Sequence, residues 1–259
     1  MSIIFPQEDI KTILEISQEA GKILLSFFQK EINVNTKSDN SPVTEADIKV
    51  NDFLCKELER FYSAPIVSEE NSKSSNVEAA KNQEFWLIDP LDGTRAFLNH
   101  DSNFVICIAI VNNSRPDFGL IHIPFTNHTY YNIGGEAFMC NNDQQISSIS
   151  VKDKKSKLNL ISSHRMKKNK EFCDFVESKD IKNISAISSA IKFCHIASGE
   201  AQIYPHFLDT MHWDSAAGDA IVHAAGGNVT DLNGQKLLYG NYNDFKNPHF
   251  IVSSNGKTI

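Results

Sequence analysis

Residues 86–97 read WLIDPLDGTRAF. An apolar run stops at Asp89, and Asp92, Gly93 and Thr94 follow directly. Pro90 removes a backbone donor and fixes φ. Gly93 allows close backbone approach. Thr94 and the residues after it can open a short helix, whose free N–H groups suit a phosphate. Carboxylates repel a phosphate unless a cation lies between. Hard carboxylate oxygens select Mg²⁺, which keeps some waters and binds phosphate oxygens as well. The residues alone leave two readings open: an ordinary surface turn, or a metal-bridged phosphate site. Other acidic residues also fall at element ends. Glu69 and Glu70 follow PIV, Asp214 precedes AAGDAIVHAAGG, and Asp47 sits in the first turn of a helix. Taken singly, Asp47 and Asp214 are equally explained by the affinity of carboxylates for helix N-termini.

The elements that must position these residues can be read from periodicity. Residues 7–31 and 44–61 carry helical apolar stripes, and Thr44 with Asp47 has the spacing of a capping box. A polar loop is predicted over 35–43, and a mobile surface loop over 71–84. Strands are predicted for FWLI (85–88), FVICIAIV (104–111), FGLIHI (118–123) and HTYYNI (128–133). A polar seam at 141–157 divides the chain into halves, 1–150 and 151–259. The second half alternates. Strands are predicted at 158–163, 184–189, 201–205 and 248–254, and helices at 166–179, 190–200 and 214–227. The last helix is stopped by the pair Gly226 and Gly227, either of which can take the left-handed C-terminal cap. Helices followed by consecutive strands, then alternation, give an α/β (α+β) layered architecture.

Composition narrows the function. The chain has 259 residues, 41% hydrophobic, which suffices for a large core. The formal net charge is -7, which argues against non-specific nucleic-acid binding. The five scattered cysteines read as core thiols of a reducing cytosol, not a zinc site or disulfide framework. The N-terminus has no signal-peptide pattern and no stretch is long enough for a transmembrane segment.

Four segments carry a resemblance. DNSPVTEAD (39–47), SEE (68–70), WLIDPLDGTRAF (86–97) and WDSAAGDAIVHAAGG (213–227) resemble the inositol-monophosphatase superfamily of Mg²⁺-dependent, lithium-sensitive phosphatases. The likeness runs from about residue 10 to 255. SPVTEAD, SSHR (162–165) and SSAIKFCHIASGEAQIYP (188–205) are similar to its 3'(2'),5'-bisphosphate nucleotidase branch. The resemblance implies alternating α-β-α-β-α layers and a cofactor of two or three Mg²⁺. It implies that Glu69, Asp89, Asp92, Asp214 and the carbonyl of Leu91 are the metal ligands, with Asp89 bridging two ions. Glu69 and Thr94 would position and deprotonate the attacking water, with Asp47 supporting Thr94. Gly93 and Thr94 would hold the scissile phosphate beside Leu91, Asp92 and Asp214. His164, Ser189 and Lys192 would contact the nucleotide and its second phosphate.

The implied reaction, in sulfur metabolism, is hydrolysis of the 3'-phosphate of adenosine 3',5'-bisphosphate or its sulfated form. The alternative is an inositol or broader sugar phosphatase. The implied protein is a cytoplasmic monomer or homodimer, with the inner face of the membrane as a peripheral location. Its partner is a small phosphorylated nucleotide, not nucleic acid. The chain departs from the nucleotidase branch at His206, where an Arg is common. His195, His212 and His223 are expected to serve packing. Trp86 and Trp213 are expected to pack the site's walls, and the KDKKSK run (152–157) to be a solvated hinge.

Overall fold

The computed structural model describes residues 5–30, 34–36, 42–152, 158–240 and 244–254. Helices α1 (Gln7–Phe27) and α2 (Glu45–Phe61) pack side by side. The capping box forms as the sequence predicts. The Thr44 hydroxyl accepts from the N–H groups of Ala46 and Asp47, and the Asp47 carboxylate accepts from the Thr44 N–H at 2.7 Å. The loop predicted over 35–43 is bounded by short antiparallel strands, β1 (Val34–Thr36) and β2 (Pro42–Thr44). The DNS portion of the 39–47 motif lies outside the described residues.

The next strands are β3 (Ile66–Ser68), β4 (Glu84–Asp92), β5 (Val105–Asn112), β6 (Arg115–Ile123), β7 (His128–Ile133), β8 (Glu136–Cys140) and β9 (Ile146–Ile149). They form one sheet in that order, with β3 parallel to β4 and every later pair antiparallel. Two expectations are corrected here. The loop predicted over 71–84 contains helix α3 (Lys73–Ala80), capped by the Ser72 hydroxyl. The polar seam contains strand β9, whose residues are largely exposed at the sheet edge. Residues 153–157 of the KDKKSK run lie outside the described residues.

A second sheet collects β10 (Asn159–Ser162), β11 (Asn183–Ala186), β12 (Ile203–His206), β13 (Asn228–Asp231) and β14 (Phe250–Ser253) in the order β11-β10-β12-β14-β13. Helix α5 (Lys170–Ser178) starts later than predicted, because residues His164–Lys168 form a 3-10 turn and the Asn169 side chain then caps the helix through Phe172 N–H at 2.9 Å. Helices α6 (Ile191–Ala197) and α7 (Ala216–Ala224) complete the set, with the five-residue α4 (Thr94–Leu98) after β4. Asp214 does not open α7 as predicted; it closes a 3-10 turn, His212–Asp214, ahead of it. Of the glycine pair, Gly226 takes the left-handed conformation, at φ 90°.

Side-chain alternation sorts these elements into α-β-α-β-α layers. Trp86, Ile88, Ile106, Ile108 and Ile110 face α1 and α2. Phe85, Leu87, Val105, Cys107 and Ala109 face the middle layer of α6 and α7. The middle layer's other side meets Tyr204, Phe250 and Val252 of the second sheet, and Leu160, Ile203 and Ile251 on its far face meet α5. Each fully buried Leu, Ile or Phe contributes about 1.5–3 kcal/mol, so the two-sided burial of both sheets fixes the layers firmly. Cys107, Cys140 and Cys194 are buried as expected, whereas Cys173 is exposed. No described helix is long and apolar enough to cross a membrane.

Candidate active site

Asp89 and Asp92 are three residues apart, so in a regular strand they would point to opposite faces. The register of β4 against β5 shifts between Asp89, paired with Cys107, and Asp92, paired with Val105. That bulge turns Leu91 into the core beside α1 and α2, while both carboxylates line a cleft of about 350 Å³. The Leu91 N–H donates to Asp89 Oδ1 at 3.0 Å and holds the corner. Gly93 follows at φ 97°, and a Cβ there would stand 3.1 Å from the Asn103 carbonyl and 3.3 Å from Ser189 Cβ. Gly93→Ala is therefore expected to cost about 1–2 kcal/mol of stability from backbone strain alone, and to lower activity by displacing Thr94. Thermal melting with phosphate release checks this, and an unchanged melt and rate would mean that the turn relaxes freely.

Two other segments bring carboxylates to Asp89. Strand β3 pairs Ser68 with Ile88, so Glu69 emerges one step further, beside Asp89, with its N–H on the Ile88 carbonyl at 3.3 Å. Buried Ser68 and Asn76 anchor this exit. Ser68 Oγ donates to Asn51 Oδ1 at 2.6 Å, and Asn76 Nδ2 donates to the Ser68 carbonyl at 2.7 Å. Asp214 is fixed by the Met211 N–H at 2.7 Å. Asn247 ties the flanking backbone, donating to the Met211 carbonyl at 2.6 Å and to Ser215 Oγ at 2.9 Å.

One oxygen from each of Glu69, Asp89 and Asp214 lies within 4.8 Å of the others. Like charges at that spacing repel by about 3 kcal/mol per pair at an effective dielectric of about 20. Burial, then the charges of Glu69, Asp92 and Asp214, push the Asp89 carboxyl well above its usual range. Burial does the same to Asp214, with Asp92 and Glu69 adding to it. Asp92 is raised by burial to about 6, less because Lys192 and the Ala190 N–H favour its charged form. The Ala190 N–H reaches Asp92 Oδ2 at 2.5 Å, and Asp92 stands outside the three-carboxylate group. Buried hard oxygens under mutual repulsion fit a divalent cation.

Thr94 Oγ1 lies 3.2 Å from the Leu91 carbonyl and 3.5 Å from Asp47 Oδ1. A hydroxyl has one proton, so it serves one acceptor at a time, and its lone pairs can accept a hydrogen bond from water while it donates to Asp47. Asp47 lies behind Thr94, outside the cleft lining, and burial raises its pKa.

The opposite wall comes from the second half. His164 lines it from the exposed 3-10 turn, and Ser189, at φ 58°, from the turn before α6. Lys192 is buried in the first turn of α6. Its ammonium donates to the carbonyls of Ser189 and Ile187 and lies 5.2 Å from the Tyr204 ring centre. Burial lowers it to about 8, against the pull of Asp92 and Asp214.

The cleft thus gathers Glu69, Asp89, Leu91, Asp92, Gly93, Thr94, His164, Ser189, Lys192 and Asp214. It also gathers Ser163, from the SSHR segment, and residues that sequence reasoning did not assign to the site: Arg95, Arg165, Tyr204 and Phe250. Trp86 corrects an expectation. It faces α1 and α2, with Nε1 on the Tyr62 carbonyl at 3.0 Å, so it does not pack the cleft wall. Trp213 packs on Phe245 in the middle layer. His212 is buried edge-on to Tyr239, and His195 pairs with Glu200 at 2.6 Å.

A profile of the inositol monophosphatase family matches residues 6–257. The chain belongs to the inositol monophosphatase family. It is 34% identical over 246 residues to the 3'(2'),5'-bisphosphate nucleotidase CysQ of Escherichia coli K12, covering 93% of this chain and 98% of that protein. It is 37% identical over 231 residues to CysQ of Buchnera aphidicola, covering 88% and 86%. Among solved structures it resembles CysQ from Bacteroides thetaiotaomicron, with a TM-score of 0.80, 28% identity, and 96% and 98% of the two chains covered.

Proposed function

We propose that the chain is a Mg²⁺-dependent 3'(2'),5'-bisphosphate nucleotidase. It releases the 3'-phosphate of adenosine 3',5'-bisphosphate, and of its sulfated form, by direct attack of water. The observation that carries the phosphatase chemistry is the convergence of Glu69, Asp89 and Asp214 within 4.8 Å, next to the Thr94–Asp47 pair. The nucleotide class is supported by the names of the relatives that match along most of the chain.

In this reading Glu69, Asp89, Asp92, Asp214 and the Leu91 carbonyl hold Mg²⁺, in two or three sites. The metal, when bound, neutralises charge on the phosphoryl group and lowers the pKa of water. Glu69 and Thr94 orient the attacking water; its proton goes to Glu69, or through the Thr94 hydroxyl, which gives its own proton to Asp47 as it receives the water's. The Gly93 and Thr94 backbone faces the scissile phosphate. The water oxygen bonds to phosphorus as the bond between phosphorus and the ribose oxygen breaks, and the ribose oxygen leaves as a hydroxyl, taking up one proton for the one the water gives up. His164, Ser189 and Lys192 face the nucleotide. An inositol or sugar phosphatase of the same chemistry is favoured by one observation, the uncharged His206 at the far wall.

A phosphate-release panel with Mg²⁺ tests the choice. Adenosine 3',5'-bisphosphate is expected to show a kcat/KM at least about tenfold above inositol 1-phosphate and fructose 1,6-bisphosphate, a difference of about 1.4 kcal/mol in transition-state binding. A higher value for inositol 1-phosphate would reject the nucleotidase reading.

A further inference from the structure

His206 ends strand β12 at the side of the cleft remote from the three carboxylates. The path to it runs from Asp92 through Lys192 to Tyr204, whose hydroxyl lies 3.0 Å from His206 Nδ1. The imidazole is 6% exposed and stacks on Phe250, with centroids 5.1 Å apart and planes at 18°. Its Nε2 is buried and has no hydrogen-bond partner of good geometry among the described residues, the Leu208 backbone pulling on the ring only weakly. Ser163 Oγ, at the end of β10, likewise has no partner among the described residues, and both residues line the cleft. Buried polar atoms are almost always paired, because leaving one unpaired forfeits its bond to water. Two such atoms in one wall mark a place built for a ligand.

The charge state of that wall decides the ligand's chemistry. Burial lowers His206 to about 3, and Lys192, His249 and Arg165 push it further the same way, so the ring is neutral at physiological pH. Ser163 is neutral by nature. Lys192 is the buried cation closest in the chain of contacts, and it is turned toward the carbonyls of Ile187 and Ser189 and the charges of Asp92 and Asp214. Arg165 lines the rim but is exposed. A phosphate dianion set against neutral groups loses water without a matching charge, whereas a hydroxyl or a base edge loses little and gains two hydrogen bonds. Phe250 adds a flat apolar floor.

The geometry points to a neutral hydrogen-bonding subsite, made by Ser163 and His206 over Phe250, that takes an uncharged part of the nucleotide, so that nucleoside 3'(2')-monophosphates are also substrates. This rests on the nucleotidase reading and extends it. The groups bound there, a ribose hydroxyl or a base edge, are common to mono- and bisphosphates. The second phosphate is left to the exposed Arg165, and an exposed ion pair is worth no more than about fivefold.

The test uses the full chain with Mg²⁺ and two substrates, adenosine 3',5'-bisphosphate and adenosine 3'-monophosphate. Their kcat/KM values are expected to lie within about tenfold of each other. His206→Phe keeps the stack and removes the polar edge. It is expected to lower both values by a similar factor of about three to ten, the worth of one neutral hydrogen bond. His206→Gln restores a polar group and should recover most of the loss, and Ser163→Ala should mirror the Phe variant if that one folds poorly. A wild-type preference for the bisphosphate above about a hundredfold would overturn the subsite, since that needs a desolvated charge contact. So would a His206→Phe loss confined to the bisphosphate, which would place the second phosphate on His206. If inositol 1-phosphate turns over and neither nucleotide does, the nucleotidase reading fails and this subsite's ligand with it.

Discussion

Replacing Asp89 with Asn is expected to abolish turnover while leaving the fold intact. Asn keeps the shape and the Oδ1 acceptor that receives the Leu91 N–H at 3.0 Å, so the corner of β4 survives. What it loses is the charge at the centre of the three-carboxylate group. A metal centre supplies several kcal/mol of transition-state stabilisation, so kcat/KM should fall about a thousandfold or more. A second readout separates the metal from the rate. Mg²⁺ at a hundredfold excess over Kd stabilises a folded binder by about 2.7 kcal/mol. The wild type should therefore melt higher with Mg²⁺ than with a chelator, and the variant should show little difference. Retained activity, or an undiminished Mg²⁺ shift in the variant, would remove Asp89 from the metal site.

The same substitution carries a pH signature in the metal-free protein. The folded-state pKa of Asp89 is raised above its unfolded value, by burial first and then by Glu69, Asp92 and Asp214. Between those two values the folded state binds more protons than the unfolded one, so this group's contribution to stability falls as pH rises. Buried His122 and His206, both lowered to about 3, act in the opposite sense, because the unfolded state takes up their protons as pH falls. Comparing variant with wild type cancels the histidines. Metal-free Asp89→Asn is expected to be the more stable of the two at pH 7.5, with the advantage shrinking toward pH 4. A difference that does not vary with pH would mean that Asp89 is not strained by its neighbours.

Much of this site was legible because its residues are contiguous. WLIDPLDGTRAF supplies seven cleft residues in one corner, and the WDSAAG stretch supplies the next carboxylate. The capping box was legible for the same reason, being a local rule of spacing. Periodicity failed where burial is one-sided or slight. Helix α3 (KSSNVEAA) buries only Asn76 and Ala80 of its residues, so it has no stripe to read. Strand β9 lies at a sheet edge, exposed, and its polar composition reads as a linker. The place of Trp86 follows from strand parity rather than from its nearness to the motif. Leu87 and Asp89 share a face, so Trp86 must take the other. The bulge that breaks this parity, putting Asp92 beside Asp89, is signalled in β4 only by Pro90, which a strand paired on both sides tolerates at a bulge, and its register depends on the pairing with β5. Ser163, His206 and Phe250 meet only because β10, β12 and β14 are neighbours in a sheet, and sequence order does not reveal that adjacency.

Thr94→Ala is expected to lower kcat by about a hundred- to ten-thousandfold, the range for a positioned proton acceptor. The argument rests on the division of labour at Asp47. One of its oxygens, Oδ2, accepts from the Thr44 N–H and caps α2, while the other, Oδ1, faces Thr94 at 3.5 Å. Removing the Thr94 hydroxyl leaves the cap untouched, so the melting temperature should hold while the rate collapses. Asp47→Ala removes both functions. It should lose about 1 kcal/mol of stability through the cap and most of the activity as well. Thr94→Ser keeps the hydroxyl without the methyl that limits its rotation, and it should retain activity within about tenfold of the wild type, as the proton acceptor itself is preserved. The decisive comparison is therefore between the two threonine variants at equal stability. If Ala and Ser were equally slow, the hydroxyl would have no part in the proton transfer, and Thr94 would matter only for the shape of the turn that Gly93 begins.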